Sequence, residues 1–338
     1  MILTRGARVT GAVLCAVLAL IVAGWIVRDI NAADDIGQLG RRWAGFYDAR
    51  FTVLPTTSVS DPVLLVVYAA AAVAALRSSA SAGALAAAGA VTIAVRLPGL
   101  WNIGEARWDG RFPDELRTRA MICAFVALAA GIALIITAGA GRRPVRDFTE
   151  RPPARPGTGA GVVVLLGLGA AAVVVAGWEI RQALRGPDLY PDWYLGGDRV
   201  FQPLTGPPPG WFSALLVLLC LFAGVSAVSR ATHARAFGLI AAALLLLEGI
   251  LSVIRTVHYE LLQHFLDLPV ESELLVLTGF FEVFVGAVTL LAAALPGRPA
   301  PVPAPGPEPG YGPGYGPGYG PPPGPFGPPP PSQPPPGW

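Results

Sequence analysis

Eight apolar runs, each near the length that crosses a bilayer, constrain this chain more than any other feature. A helix rises about 1.5 Å per residue, so about 20 residues cover a hydrocarbon core about 30 Å thick. The runs lie at 9–28, 61–77, 80–97, 120–140, 160–181, 211–229, 236–257 and 273–295. In lipid every backbone polar group must find its partner inside the protein, which a helix does within one segment. The expected fold class is an all-α membrane protein with about eight transmembrane helices. The second run is short, from Val63 to Leu76. The third is almost entirely Ala and Gly, so it crosses only if buried among neighbours, which its small side chains let approach closely.

Composition excludes the main soluble alternatives. Only 14% of the 338 residues are charged, against about a quarter in soluble domains. A net charge of +2 leaves no basic surface to offset nucleic-acid phosphates. Cys15, Cys123 and Cys220 each sit inside an apolar run, where thiols behave as small hydrophobes rather than as ligands or disulfide partners. The first run follows Arg5 and Arg8, as a signal peptide would, but it is too long for a signal h-region. It is read as a membrane span, and the bilayer as the first partner.

Charge sets the expected orientation. With the amino terminus placed inside, the inner segments carry 11 Arg and 3 acids, and the outer segments and helix ends 13 Arg and 17 acids. The stretch Arg142, Arg143, Arg146, Arg151, Arg155 is the clearest inner cluster, as the positive-inside rule requires. Seven of the eight Trp fall on the outer side. The expectation is a cell-membrane protein with both termini in the cytoplasm.

The chain also reads as two tandem four-helix repeats, 1–150 and 151–295. Gly24-Trp25-Ile26-Val27-Arg28 ends the first run and Gly177-Trp178-Glu179-Ile180-Arg181 the fifth. The outer loops that follow hold Trp43, Phe46, Tyr47, Asp48, Arg50 and Phe51 in one case, and Trp193, Tyr194, Asp198, Arg199 and Phe201 in the other. Trp43 to Trp193 and Phe51 to Phe201 are both offset by 150, and Arg96 to Arg255 by 159. An even number of spans per half makes such repeats parallel.

Residues 296–338 form a Pro/Gly/Tyr-rich tail in which Gly-Tyr-Gly-Pro occurs three times between Gly310 and Pro321. Such a composition builds no core, and disorder is expected. Together with the overall composition, this tail resembles those of uncharacterised actinobacterial multi-pass membrane proteins. The resemblance implies a cytoplasmic tail and no particular activity. Proline-rich segments dock aromatic-lined grooves, so the tail is one place for a protein partner and the outer loops are another.

Chemistry inside the membrane rests on two acids. Glu248 lies mid-span in the seventh run, and Glu282 at similar depth in the eighth. Ionisable groups at that depth are candidate functional sites by default. Ser252 and Arg255 follow Glu248 at i+4 and i+7, on one helical face. These four residues form the candidate polar site. On the outer side, Trp43, Trp101, Trp108 and Trp193 form a candidate binding surface, whose competing role is interfacial anchoring and loop packing. His258, Glu260 and His264 are too few ligands for a metal site. No serine-hydrolase elbow, zinc-protease, phosphate-loop or dinucleotide motif is present, so neither catalytic residues nor a cofactor are expected. The sequence favours a non-enzymatic binding, sensing or envelope-organising protein. The alternative is a small-solute or ion-coupled transporter using Glu248 and Glu282.

Overall fold

A computed structural model describes residues 2–33, 36–46, 54–144, 154–295 and 297. Among these residues eight helices are long and apolar enough to cross a membrane. They are α1 (Arg5–Ala32), α3 (Ser60–Arg77), α4 (Ser81–Arg96), α6 (Asp114–Ala140), α7 (Thr158–Arg185), α9 (Pro209–Val228), α10 (Ala234–His258) and α11 (Val270–Ala294). Three short helices lie between them: α2 (Ile36–Trp43), α5 (Gly99–Asn102) and α8 (Tyr190–Leu195). The multi-pass helical architecture expected from the apolar runs is the architecture present. Tyr47, Asp48, Arg50, Phe51, Arg146, Arg151 and the tail from residue 298 lie outside the described residues.

Helix ends follow local chemistry. The Thr4 hydroxyl accepts from the Ala7 amide at 3.3 Å and caps α1. Its neighbours Ile2 and Leu3 are buried and form a two-residue strand, β1, antiparallel to β2 (Arg142–Arg143). This clamp joins the start of α1 to the end of α6. Pro113 precedes α6 and Pro269 precedes α11, and both helices carry acids in the first turn, where the helix dipole favours them. Pro209 starts α9, where its missing N–H costs nothing.

The helices form two rings of four. In the first, α1 and α4 each pack on α3 and α6; in the second, α7 and α10 each pack on α9 and α11. The rings meet where α4 touches α10 and α9, and where α3 touches α10. Helix α4 is therefore the most enclosed span: 56% of its apolar window is buried, against 28–44% in the other seven. This is the environment its Ala/Gly composition demands. Gly89 of α4 faces Gly131 of α6 so closely that a Cβ at Gly89 would lie 2.6 Å from the Gly131 carbonyl oxygen. The lipid-facing sides present exposed Leu20, Val173, Leu218 and Phe284.

The α10–α11 crossing is as tight and fixes the candidate site. A Cβ at Gly249 would lie 2.6 Å from the Val283 amide nitrogen and 2.8 Å from the Glu282 Cβ; one at Gly286 would lie 2.8 Å from the Leu246 Cα. Both obstacles include backbone, which cannot move aside without separating the helices. Gly249→Ala is therefore expected to lower stability by about 1–3 kcal/mol, read as a fall in the thermal midpoint of the purified protein. Gly169→Ala is its control: no atom lies within 4 Å of a Cβ there, and the helix interior favours Ala over Gly. That substitution is expected to leave the midpoint unchanged or raise it.

Candidate functional site

The candidate tryptophans and Arg255 lie at the end of the bundle that carries the long loops, opposite the amino terminus, and Glu248 and Glu282 lie deeper, near mid-span. At the loop end the first ring is sealed by polar contacts. Asp29, in the last turn of α1, is 2% exposed. Its carboxylate accepts the Thr56 amide at 2.9 Å, the Thr57 amide at 2.7 Å and both threonine hydroxyls at 2.6 Å. Arg28 completes an ion pair with it at 2.8 Å. Asp61, in the first turn of α3, accepts the Ser58 amide at 2.7 Å and pairs with Arg96 at the end of α4. Arg96 also donates to the Thr205 carbonyl at 2.9 Å. Below it the Tyr68 and Thr92 hydroxyls share a hydrogen bond of 2.8 Å. The space left among these helices is a cavity of 20 Å³, room for about one water.

Above this layer the loops lock into a cap. The Thr205 amide donates to the Thr56 carbonyl at 2.9 Å, and the Thr205 hydroxyl donates to the same oxygen at 2.7 Å. Arg107 donates to Asn102 Oδ1 at 2.6 Å, to the Gly197 carbonyl at 3.0 Å and to Gln202 Oε1 at 3.1 Å. Burial pulls the Arg107 guanidinium below its usual pKa, and Glu105 opposes the shift. Gly196 at φ +90° allows the chain to turn here, where a Cβ would strike Asn102 Oδ1 at 2.1 Å.

The outer tryptophans are built into this cap. Trp101 donates to the Leu195 carbonyl at 2.9 Å and stacks edge-on against Trp211, which itself donates to the Ala94 carbonyl. Trp108 is buried and donates to the Asn102 carbonyl at 2.8 Å. Trp193 donates to Glu179 Oε2 at 3.0 Å, and Tyr194 donates to the same oxygen at 2.9 Å. Burial, with Tyr190 and Glu179 close by, raises the Tyr194 phenol above its usual pKa. Trp43 ends α2, and its buried indole N–H has no hydrogen-bond partner among the described residues. Three of the four candidate binding tryptophans thus spend their polar atom on the fold.

The second ring differs at the same end. Contacts of Leu246 with Gly286, Gly249 with Glu282 and Val283, and Ser252 with Gly279 set α10 and α11 antiparallel in one register. That register places Glu248 and Glu282 about one residue apart in depth, roughly 1.5 Å. Glu248 and Glu282 are neighbours across this crossing, since Gly249, the residue after Glu248, abuts the Glu282 Cβ. Ser252 lies between this level and that of Arg255, on the side of α10 that faces α11. All four residues are half-buried, in contrast with the sealed acids of the first ring. Arg255 rises beneath the chain at Gly45, where a Cβ would sit 3.8 Å from its guanidinium nitrogen. The next residue, Phe46, packs its ring at a tilt against His258 at 4.2 Å and edge-on against Tyr259 at 5.8 Å. The loop of the first ring therefore roofs the polar face of the second. His258 is occupied by these ring contacts, and no group of three metal-ligating side chains occurs among the described residues.

In the sequence Asp29 and Asp61 stand out only as part of an outer acid excess, and Arg96 only as the counterpart of Arg255. The one local signal is Ser58 three residues before Asp61, a spacing at which an Asp carboxylate can take a nearby backbone amide.

No family model matches the chain, and no curated protein or solved structure matches it significantly.

Proposed function

We propose that this multi-pass membrane protein is a non-enzymatic binding or sensing protein, whose ligand site is the polar group of Glu248, Ser252, Arg255 and Glu282 at the α10–α11 crossing. The observation that carries this reading is the register of the α10–α11 crossing, which sets two half-buried carboxylates at one depth, about two turns below Arg255 and the Gly45–Phe46 segment that meets it. When both carboxylates are ionised, they and one guanidinium leave one negative charge, which a proton or a bound cation balances in a medium that penalises it. A monovalent cation or a primary ammonium group meets that requirement. The test is binding of sodium, potassium and a small alkylammonium ion to purified protein, read by thermal shift. The wild type is expected to be stabilised by at least one of them, and Glu282→Gln and Glu248→Gln to lose the effect. Cation stabilisation that persists unchanged in both variants would sink the site.

A transport reading is favoured by one further observation. The two rings share the same neighbour relations, α1–α3–α4–α6 and α7–α9–α10–α11, which supports a tandem duplication, an architecture common among transporters. Flux of the bound cation in proteoliposomes separates the two readings, because a sensor binds without flux.

The orientation we infer places the cap outside the cell membrane and the β1–β2 clamp inside. The arginines at the clamp end, Arg142 and Arg143 of the clamp with Arg77, Arg230 and Arg235, support it. Cysteine at the exposed positions Glu115 and Thr232, which lie at opposite ends of the bundle, tests it. An impermeant maleimide applied to intact cells is expected to label Glu115→Cys and to spare Thr232→Cys; the reverse pattern inverts the orientation.

A further inference from the structure

We propose that the groove between α1 and α3, at the amino-terminal end of the bundle, holds the phosphate headgroup and one acyl chain of an anionic phospholipid. The groove encloses 1230 Å³, and its lining includes Arg5, Arg8, Arg77 and Arg143 but no acidic residue. Arg5, Arg8 and Arg77 have no carboxylate partner among the described residues. Arg5 and Arg8 occupy the start of α1, which has no acid in its first turn. Positive charge at that end opposes the helix dipole. Two helices, α1 and α3, thus bring Arg5, Arg8 and Arg77 to one opening with the same sign of charge, and a bound anion removes the repulsion among them.

The remaining wall identifies the anion as a lipid. Below Arg77 the lining follows one face of α3 through Val73 and Ala70 to Val66. Eleven residues of helix cover about 16 Å, roughly half of a hydrocarbon core about 30 Å thick. The groove therefore starts at a ring of guanidiniums and descends along an apolar wall to the bilayer centre, the dimensions of one lipid in one leaflet. Val66 and Val73 are 66% and 54% exposed, so the wall faces the hydrocarbon rather than another helix. Basic pockets of this form, on the cytoplasmic side, recognise anionic headgroups. Arginine suits the task, since its planar donors match phosphate oxygens two at a time.

The test is native mass spectrometry of the full-length protein, delipidated in neutral detergent and exposed to phosphatidylglycerol and phosphatidylcholine with identical acyl chains. The wild type is expected to retain one phosphatidylglycerol with a preference of about tenfold or more, given the attraction each basic residue contributes near the headgroups. The Arg5→Gln/Arg8→Gln/Arg77→Gln variant is expected to lose that preference. Ala70→Phe fills an exposed part of the wall while keeping every arginine, and it is expected to weaken lipid retention as well. Arg235→Gln, outside the groove lining, is expected to change nothing. Millimolar inorganic phosphate is expected not to displace the lipid. Equal retention of both lipids by the wild type overturns the proposal. So does an unchanged preference in the triple variant, an equal loss in Arg235→Gln, or displacement by inorganic phosphate, which would make the groove a site for the free anion.

Discussion

Asp29→Ala is expected to destabilise the protein by about 3–5 kcal/mol, the cost of breaking a buried, fully bonded charge site. The carboxylate serves the amides and hydroxyls of Thr56 and Thr57 together with Arg28. Removing it strands two backbone N–H groups and two hydroxyls at 0% exposure, and unsatisfied buried donors cost far more than the bonds they made were worth. Asp29→Asn is expected to recover only part of the loss, because its amide nitrogen places donors against donors. The measurement is thermal unfolding in detergent, together with protease sensitivity near residues 54–58. A midpoint within a degree or two of wild type for Asp29→Ala would show that water replaces the carboxylate and that the cap end is open.

Arg96→Met is expected to be similarly damaging, at about 3–5 kcal/mol, because it leaves Asp61 buried at 1% exposure without its counter-charge. It also deprives the Thr205 carbonyl of a donor. The double variant Asp61→Leu/Arg96→Met is expected to regain most of that stability, since replacing both members of a buried pair with apolar groups is often neutral. The two singles and the double form a thermodynamic cycle. An additive cycle would mean that Asp61 and Arg96 act independently, contrary to their pairing in the structure.

These two predictions rest on residues whose role was hard to read from the chain, whereas the helices themselves were easy. The eight apolar runs announce the spans by hydrophobicity alone, and the Ala/Gly run at 81–96 announces its enclosure by size. Depth was legible too, because antiparallel neighbours of known length put Glu248 and Glu282 at one level. Rotation was not, because hydropathy sets no angle about the helix axis in a span that is apolar on most sides. The angle is set by the contacts of Gly249, Gly279 and Gly286 with α10 and α11, which are pairwise steric facts. The cap was least legible, since Thr56 and Thr205 are 149 residues apart and no local pattern links them. The outer tryptophans show the same gap: their enrichment on one side is visible in sequence, but the carbonyls taken by Trp101, Trp108 and Trp211 belong to the fold.

The bonds from residues 197–206 to Thr56, Arg96 and Arg107 have a consequence for biogenesis. Arg107 bonds Gly197, 90 residues further along the chain, so α1–α6 leave the ribosome and enter the bilayer before their cap can close. Until the loop before α9 arrives, the Thr56 carbonyl and part of the Arg96 guanidinium must be held by water or by an insertion chaperone. Nascent chains arrested between α6 and α9 therefore present an open, protease-sensitive cap, and chains released beyond α9 a closed one. Two fragments divided at 145–153 regain the closed form only when both are inserted in the same membrane.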